Sequence, residues 1–222
     1  MKIKCIQTSS KGNAFIVYRE NDTVLIDAGV KVEEPFDIMF ITHLHDDHSA
    51  YFRKYAAKVK WTCGSDVYEQ IKAIVNPLLL INYVDPEILG IYTFPVRHDV
   101  PCYGAVVRDG QEKYCHITDT DYFVAPEIAF NCEKYSIESN YSDLLIDATN
   151  RPDFINQRAK ETHMSNEQAI ALALELSGEK TKTVAFIHVS NDANSELYMT
   201  TEHEIMMGGD FRIVYPKKQQ VY

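Results

Sequence analysis

Residues 42–50 read THLHDDHSA, and they restrict what this chain can fold into more than any other stretch. Between His43 and His48 stand three of the chain's eight histidines and two aspartates. The run follows directly on the apolar segment DIMFI, so a tight loop at a strand end, not a helix, must present His43 and His45. Imidazole and carboxylate together suit zinc, manganese or iron, and the H-x-H-x-D-H spacing offers four ligands in His43, His45, Asp47 and His48. A lone histidine on a polar loop would imply nothing of the kind; this density does.

Three other positions share one local context, an apolar strand that ends in a ligand-type residue: YTFPVRH to His98, YCHITD to Asp119 and VAFIH to His188. Side chains at the carboxyl ends of strands in a layered fold converge on one crevice. Short apolar segments rich in Val, Ile, Phe and Tyr predict strands over 3–6, 14–18, 24–26, 38–41, 105–107, 114–117, 144–146, 183–187 and 212–214. Helical patterns lie between several of them. In SNEQAIALALELSG, Ser165 is placed as an N-cap with Gln168 three residues on, Ala169, Ile170, Ala173 and Leu176 line one face, and Gly178 ends the helix. SDVYEQIKAIV from Ser65 predicts a second helix, and the segment after His48 a third. With no repeat, linker or low-complexity stretch, 1–222 reads as one domain of layered α/β or α+β class, two sheets with helices packed outside them.

Composition narrows the partners. A formal charge of −10 argues against a protein that grips nucleic acid through a basic surface, because counterion release needs clustered Lys and Arg. It does not exclude a nuclease, since part of the acidity is accounted for if carboxylates hold cations. The five cysteines form no C-x-x-C pair, and no stretch reaches the roughly 20 apolar residues of a membrane span. Together with the absence of a signal-peptide pattern, these features predict a cytoplasmic protein with reduced thiols and no membrane partner. The sequence gives no reading of oligomeric state.

The H-x-H-x-D-H string, with the strand-end residues after it, resembles the metallo-β-lactamase superfamily over nearly the whole chain. That resemblance implies a four-layer αββα sandwich holding two divalent metal ions, zinc or manganese, with iron also compatible. It implies His43, His45 and His98 on one ion, Asp47, His48 and His188 on the other, and Asp119 between them. Asp27, in VLIDAGV, matches the superfamily's early aspartate and would orient the histidine loop from behind; on local sequence alone it is equally a turn residue. Where the string usually continues to a glycine, this chain has Tyr51.

QTSSKGNAFIV, ITDTD, HVSNDANS and THMSNEQA resemble the WalJ/YycJ-type metallo-hydrolases, a branch related to tRNase Z and the phosphodiesterases. In that branch a histidine outside the metal ligands serves phosphoryl chemistry, and here it is His163, just before the helix capped by Ser165. The resemblance implies catalysis by Asp47, Asp119 and His163, with the free N–H groups of that helix end facing a phosphate and Asp147 orienting His163. Two ions about 3.5–4 Å apart would provide hydroxide at neutral pH, and His163 would protonate the leaving alkoxide. Ser10, Lys11 and Asn13 are expected at the substrate entrance, or else as an ordinary Ser-Gly turn. Tyr51, Tyr55, Tyr103, Tyr122 and Trp61 are either base-stacking surfaces or core. His116 and His203 are read as structural, and at Ala193 the branch would carry a histidine that this chain lacks. The leading expectation is a 5′-to-3′ exonuclease on DNA. A hydrolase of small cyclic or nucleotide phosphodiesters, a lactone or thioester hydrolase, and a non-catalytic metal-stabilised binding protein stay open beside it.

Overall fold

The computed structural model describes residues 1–195, 197, 199, 200 and 212–222, and its frame is two six-stranded sheets packed face to face. Strands β1 (Lys2–Gln7), β2 (Ala14–Tyr18), β3 (Thr23–Ile26), β4 (Ile38–Ile41) and β5 (Lys60–Cys63) form the first sheet in chain order. Strands β6 (Ile91–Val96), β7 (Cys102–Asp109), β8 (Glu112–Ile117), β9 (Lys134–Glu138), β10 (Thr183–Ile187) and β11 (Arg212–Val214) form the second, and β12 (Gln220–Val221) returns to pair with β1.

Both sheets repeat one scheme that the sequence does not betray. Three strands meander antiparallel, β1 to β3 and β6 to β8, and the strands that follow run parallel to the last of them. Parallel strands end at the same sheet edge, so the residues after β3, β4, β8, β9 and β10 gather there.

Side-chain alternation decides which face is core. In β10, Ala185 and Ile187 pack between the sheets, whereas Val184 and Phe186 face outward. Helices α1 (Asp46–Ser49), α2 (Phe52–Ala56) and α3 (Ser65–Ile74) follow β4 and β5, and Phe52, Tyr55, Val67 and Ile71 join the core of the first sheet. Helix α4 (Asp153–Thr162) precedes α5 (Asn166–Leu176), which covers the second sheet with Ala169, Ile170, Ala173 and Leu176. Full burial of each large apolar side chain contributes about 1.5–3 kcal/mol. The capping box at Ser165 is present: its side chain accepts from Gln168 N and the Gln168 side chain accepts from Ser165 N.

Several expectations change. Residues 144–146 are not a strand; they lead into a 3-10 turn, Ile146–Ala148, whose Ile146 is buried beside Tyr141 and Ala193. Trp61, Tyr55 and Tyr103 are buried in the core, so they offer no stacking surface, whereas Tyr122 is exposed. His116 lies buried between the sheets against the Phe15 ring, bonded to Tyr114 Oη at 2.9 Å, and burial lowers its pKa to about 3. His203 lies outside the described residues. The five cysteines are buried free thiols. Among the described residues no helix is long and apolar enough to cross a membrane.

Candidate metal centre

The shared edge of the two sheets carries every ligand candidate. Asp27 follows β3, the histidine loop follows β4 and runs into α1, His98 follows β6, Asp119 follows β8, and His188 follows β10. Of the five non-glycine residues with positive φ among the described residues, three are here: Asp27 at 60°, Asp119 at 52° and His188 at 54°. Such a conformation costs about 1–3 kcal/mol each and turns the side chain sharply off the strand end.

The histidine loop is held from below by backbone. Asn13 N donates to Asp47 O at 2.7 Å, Ala28 N to His48 O at 2.7 Å, and Tyr51 N to Ala28 O at 2.8 Å. Gly29 is required for this approach, because a Cβ there would stand 1.6 Å from the Asp47 carbonyl oxygen. Tyr51, in place of the expected glycine, thus belongs to the same ladder.

Two ligand clusters result. His43 Nε2 and His45 Nδ1 lie 3.1 Å apart, and His45 Nδ1 and His98 Nε2 lie 3.3 Å apart. Two nitrogens bound tetrahedrally at about 2.0–2.1 Å from a cation stand about 3.3–3.4 Å apart, so these three atoms have the spacing of a metal's coordination shell. Asp47 Oδ2 stands 3.5 Å from His48 Nε2 and 3.7 Å from His188 Nε2, defining the second cluster. His188 Nε2 is buried with no hydrogen-bond partner among the described residues, as a nitrogen reserved for a cation would be. Asp119 lies between: Oδ2 is 3.2 Å from His48 Nε2, while Oδ1 is 3.6 Å from His188 Nε2 and 4.0 Å from His98 Nε2. The residues present therefore fit two divalent cations.

Each ring's other nitrogen faces an oxygen, which fixes its tautomer and orientation. His43 Nδ1 meets Thr42 Oγ1 at 3.0 Å, His98 Nδ1 the Thr162 carbonyl at 3.1 Å, and His48 Nδ1 the Asp27 carboxylate at 2.7 Å. His45 Nε2 faces Asp99 at 3.3 Å, and His188 Nδ1 meets Glu138 Oε1 at 2.8 Å. Asp27 itself accepts from Thr42 N and Oγ1 at 2.9 Å, so it braces the loop as well as the ring. Burial alone would lower the His48 pKa, yet the Asp119 and Asp27 carboxylates push it up to about 10. A cation entering this cluster must displace that proton. Burial keeps His43 neutral.

Glu138, the last residue of β9, is the functional residue that the sequence reading missed. It is fully buried, and its Oε1 accepts from His163 Nδ1 at 2.6 Å as well as from His188, while Oε2 accepts from Thr120 N at 3.0 Å. Burial opposes charge on His163, but the Glu138 carboxylate outweighs it and raises the His163 pKa above its ordinary value. The signal existed: KYSIE is another strand ending in a ligand-type residue. Asp99, beside His98, was also passed over.

Other expected residues lie elsewhere. Asp147 does not orient His163; its exposed carboxylate pairs with Lys160 at 2.7 Å, and Glu138 takes the orienting place. Asn13 is buried under the loop, its Nδ2 2.8 Å from His48 Nε2, rather than at the entrance. Ser10 lines the cavity, whereas Lys11 is exposed on the same turn and does not line it. The N-terminus of α5 is not free for an anion: Ser165 N donates to Gln168 Oε1, Asn166 N to Tyr141 O, and Gln168 N to Ser165 Oγ.

Above the clusters opens a cavity of about 410 Å³. Its floor is ligand residues and His163; one wall is α4 with Arg151 before it, and Asn140 and Ser190 complete the lining, Ser190 beside Arg151.

No protein-family model matches the chain. The exodeoxyribonuclease WalJ of Streptococcus pneumoniae is 25% identical over 258 aligned positions, covering 96% of this chain and 93% of WalJ. Among solved structures, the metallo-β-lactamase fold protein YhfI from Bacillus subtilis superposes with a TM-score of 0.77 at 15% identity, covering 100% of this chain and 98% of YhfI. The short form of human tRNase Z gives 0.67 at 14% identity, covering 100% of this chain and 98% of its own.

Proposed function

The chain has the metallo-β-lactamase fold, and from that premise we propose that it is a dinuclear metal-dependent phosphodiesterase acting as a 5′-to-3′ exonuclease on DNA. The observation that carries the reading is His163, a histidine outside both ligand clusters whose Nδ1 is fixed on buried Glu138 at 2.6 Å. A thioester expels a thiolate that needs no proton donor, whereas a phosphodiester expels an alkoxide that does. The likeness to an exodeoxyribonuclease over 96% of the chain supports the choice of polymer.

His43, His45 and His98 would hold one cation and Asp47, His48 and His188 the other, with Asp119 shared. Zinc or manganese bound there would polarise a phosphoryl oxygen and supply hydroxide at neutral pH. The chain's residues do the rest. Glu138 accepts the Nδ1 proton of His163, which leaves Nε2 as the nitrogen that delivers a proton to the leaving oxygen. The raised pKa favours the protonated ring, the form that can donate. Thr42, Asp27, Glu138, Asp99 and the Thr162 carbonyl hold the ligand rings in fixed orientation, so little reorganisation accompanies binding.

A second reading, hydrolysis of small nucleotide diesters, is favoured by the net charge of −10, which repels a polymer, and by the size of the cavity. Digestion of single-stranded DNA labelled separately at each end, with manganese or zinc and with Asp119→Ala as control, separates the two. Stepwise loss from the 5′ end, absent in the control, supports the exonuclease. Intact DNA beside rapid turnover of bis(p-nitrophenyl) phosphate selects the small-diester enzyme, and inertness toward both overturns the phosphodiesterase reading.

A further inference from the structure

Resting on the phosphodiesterase reading, we infer that Arg151 and Arg158 form a second phosphate site on the α4 wall, so that the preferred substrate is a phosphodiester with another phosphate one nucleoside away. The shared chemistry is a second phosphate, supplied either by a phosphorylated end or by the next backbone linkage.

The wall is built on helical spacing. Ile155, Arg158, Ala159 and Thr162 line the cavity from one face of α4, at steps of three, four and seven residues, and Arg151 joins them from the turn before the Pro152 cap. Among the described lining residues these two arginines are the permanent cations, in a chain of net charge −10 and over a floor that includes Asp46, Asp47 and Asp119. A cavity that only had to hold one phosphoryl group over two cations would need neither.

Both guanidiniums are only partly committed. Arg151 Nε and Nη2 share one oxygen of Asp192, at 3.2 and 3.0 Å, and Nη2 also reaches Ser190 Oγ at 3.0 Å. Arg158 places Nε and Nη2 on a single oxygen of Asp99, with Nε at 3.1 Å. Nη1 of neither makes a hydrogen bond among the described residues, so Arg158 keeps its Nη1–Nη2 edge for an anion, and Arg151, whose Nη2 already serves Asp192 and Ser190, keeps Nη1. The carboxylates hold the forks in position; Asp192 is largely exposed, and a pair in water contributes little, so a phosphate loses little by competing with it. Arginine suits the task because its planar fork meets two phosphate oxygens at once. Ile155, partly exposed between the two arginines in sequence, supplies apolar surface for the sugar or base that joins the phosphates.

Three thymidine substrates test this with the metal-loaded protein: TpT with free ends, pTpT with a 5′-phosphate, and TpTpT with a second linkage. The expected result is that kcat/KM for pTpT, TpTpT or both exceeds that for TpT by about 10- to 100-fold, the discrimination of one or two charge-assisted hydrogen bonds. Arg151→Ala and Arg158→Ala should each move that ratio toward one, and Arg151→Lys, which keeps charge but loses the fork, should retain part of it. Preference for pTpT alone assigns the site to a terminal phosphate, and preference for TpTpT alone to the backbone. Titration with thymidine 3′,5′-bisphosphate against thymidine 5′-monophosphate gives the same comparison without turnover, and thermal melting with metal content verifies that each variant folds. If TpT is cleaved as fast as the other two, or if the ratio survives both Arg→Ala variants, the second site is overturned while the phosphodiesterase reading stands. Absence of turnover on all three, with no preference for the bisphosphate in the titration, overturns the second site, while the phosphodiesterase reading is judged on DNA and bis(p-nitrophenyl) phosphate.

Discussion

Glu138→Gln is the sharpest probe of the centre, because it removes one charge and changes almost no volume. In the native chain one oxygen accepts from His163 Nδ1 at 2.6 Å and His188 Nδ1 at 2.8 Å, and the other from Thr120 N at 3.0 Å. All three partners are donors. A glutamine must turn its own NH₂ toward either the two imidazoles or the Thr120 amide, and whichever it faces, a buried donor meets a donor. The unsatisfied group costs about 1–3 kcal/mol, and each imidazole bond drops from about 1.5–3 kcal/mol to about 1 kcal/mol. Stability should therefore fall by about 2–7 kcal/mol, and activity by about 10- to 100-fold, as for other partners that orient metal ligands. The pH profile gives a more specific readout. His163 donates only while protonated, so kcat is lost as pH rises through its pKa; Glu138 holds that pKa up, and its neutral replacement lets burial pull it down. The basic limb of kcat should move to lower pH on a phosphodiester substrate, and metal content by mass spectrometry should fall at the cluster containing His188. An unchanged basic limb with unchanged kcat and metal content would refute the role assigned to Glu138.

His163→Ala should lower kcat by about 10²- to 10⁴-fold while leaving metal content intact, since the ring belongs to neither ligand cluster; loss of metal as well would make it a ligand instead. Gly29→Ala forces a methyl onto the Asp47 carbonyl oxygen and should abolish retention of metal at the second cluster, read by dialysis and elemental analysis. Ser165→Ala removes the cap of α5 and should cost about 1 kcal/mol, lowering the melting temperature by about 2–4 °C in a chain of this size. Chelation should lower the melting temperature further, with recovery on adding manganese or zinc, because a cation bound to the folded state alone stabilises it.

The elements legible in the sequence were those whose pattern is local. The strand-loop at His43 declares itself by ligand density, α5 by its capping box and apolar face, and Asp119 and His188 by their place after apolar strands. Helix α4 was missed because it has almost no apolar stripe: its buried residues are Asn156 and Thr162. Strand β9 was missed because Lys134, Ser136 and Glu138 interrupt its apolar run, although Ser136 and Glu138 are buried. Residues 144–146 looked like a strand for the opposite reason, three branched apolar residues in a turn. Asp147 and Glu138 show the limit most directly. Both are acidic residues upstream of His163, and only tertiary packing decides that the second one reaches its Nδ1 while the first pairs with Lys160.

The two sheets contribute unequally and jointly to the centre. The first cluster takes His43 and His45 from the loop after β4 but His98 from the end of β6; the second takes Asp47 and His48 from the first sheet but His188 from the end of β10. Neither half of the chain can therefore build a complete site alone, and closing the second one joins residues 48 and 188, among the most distant contacts in the chain order. Contacts of that span form late, after loop-closure entropy has been overcome. Tight metal capture is thus a report that both halves have folded and docked in register, and a cation, once captured, acts as a clasp that slows their separation.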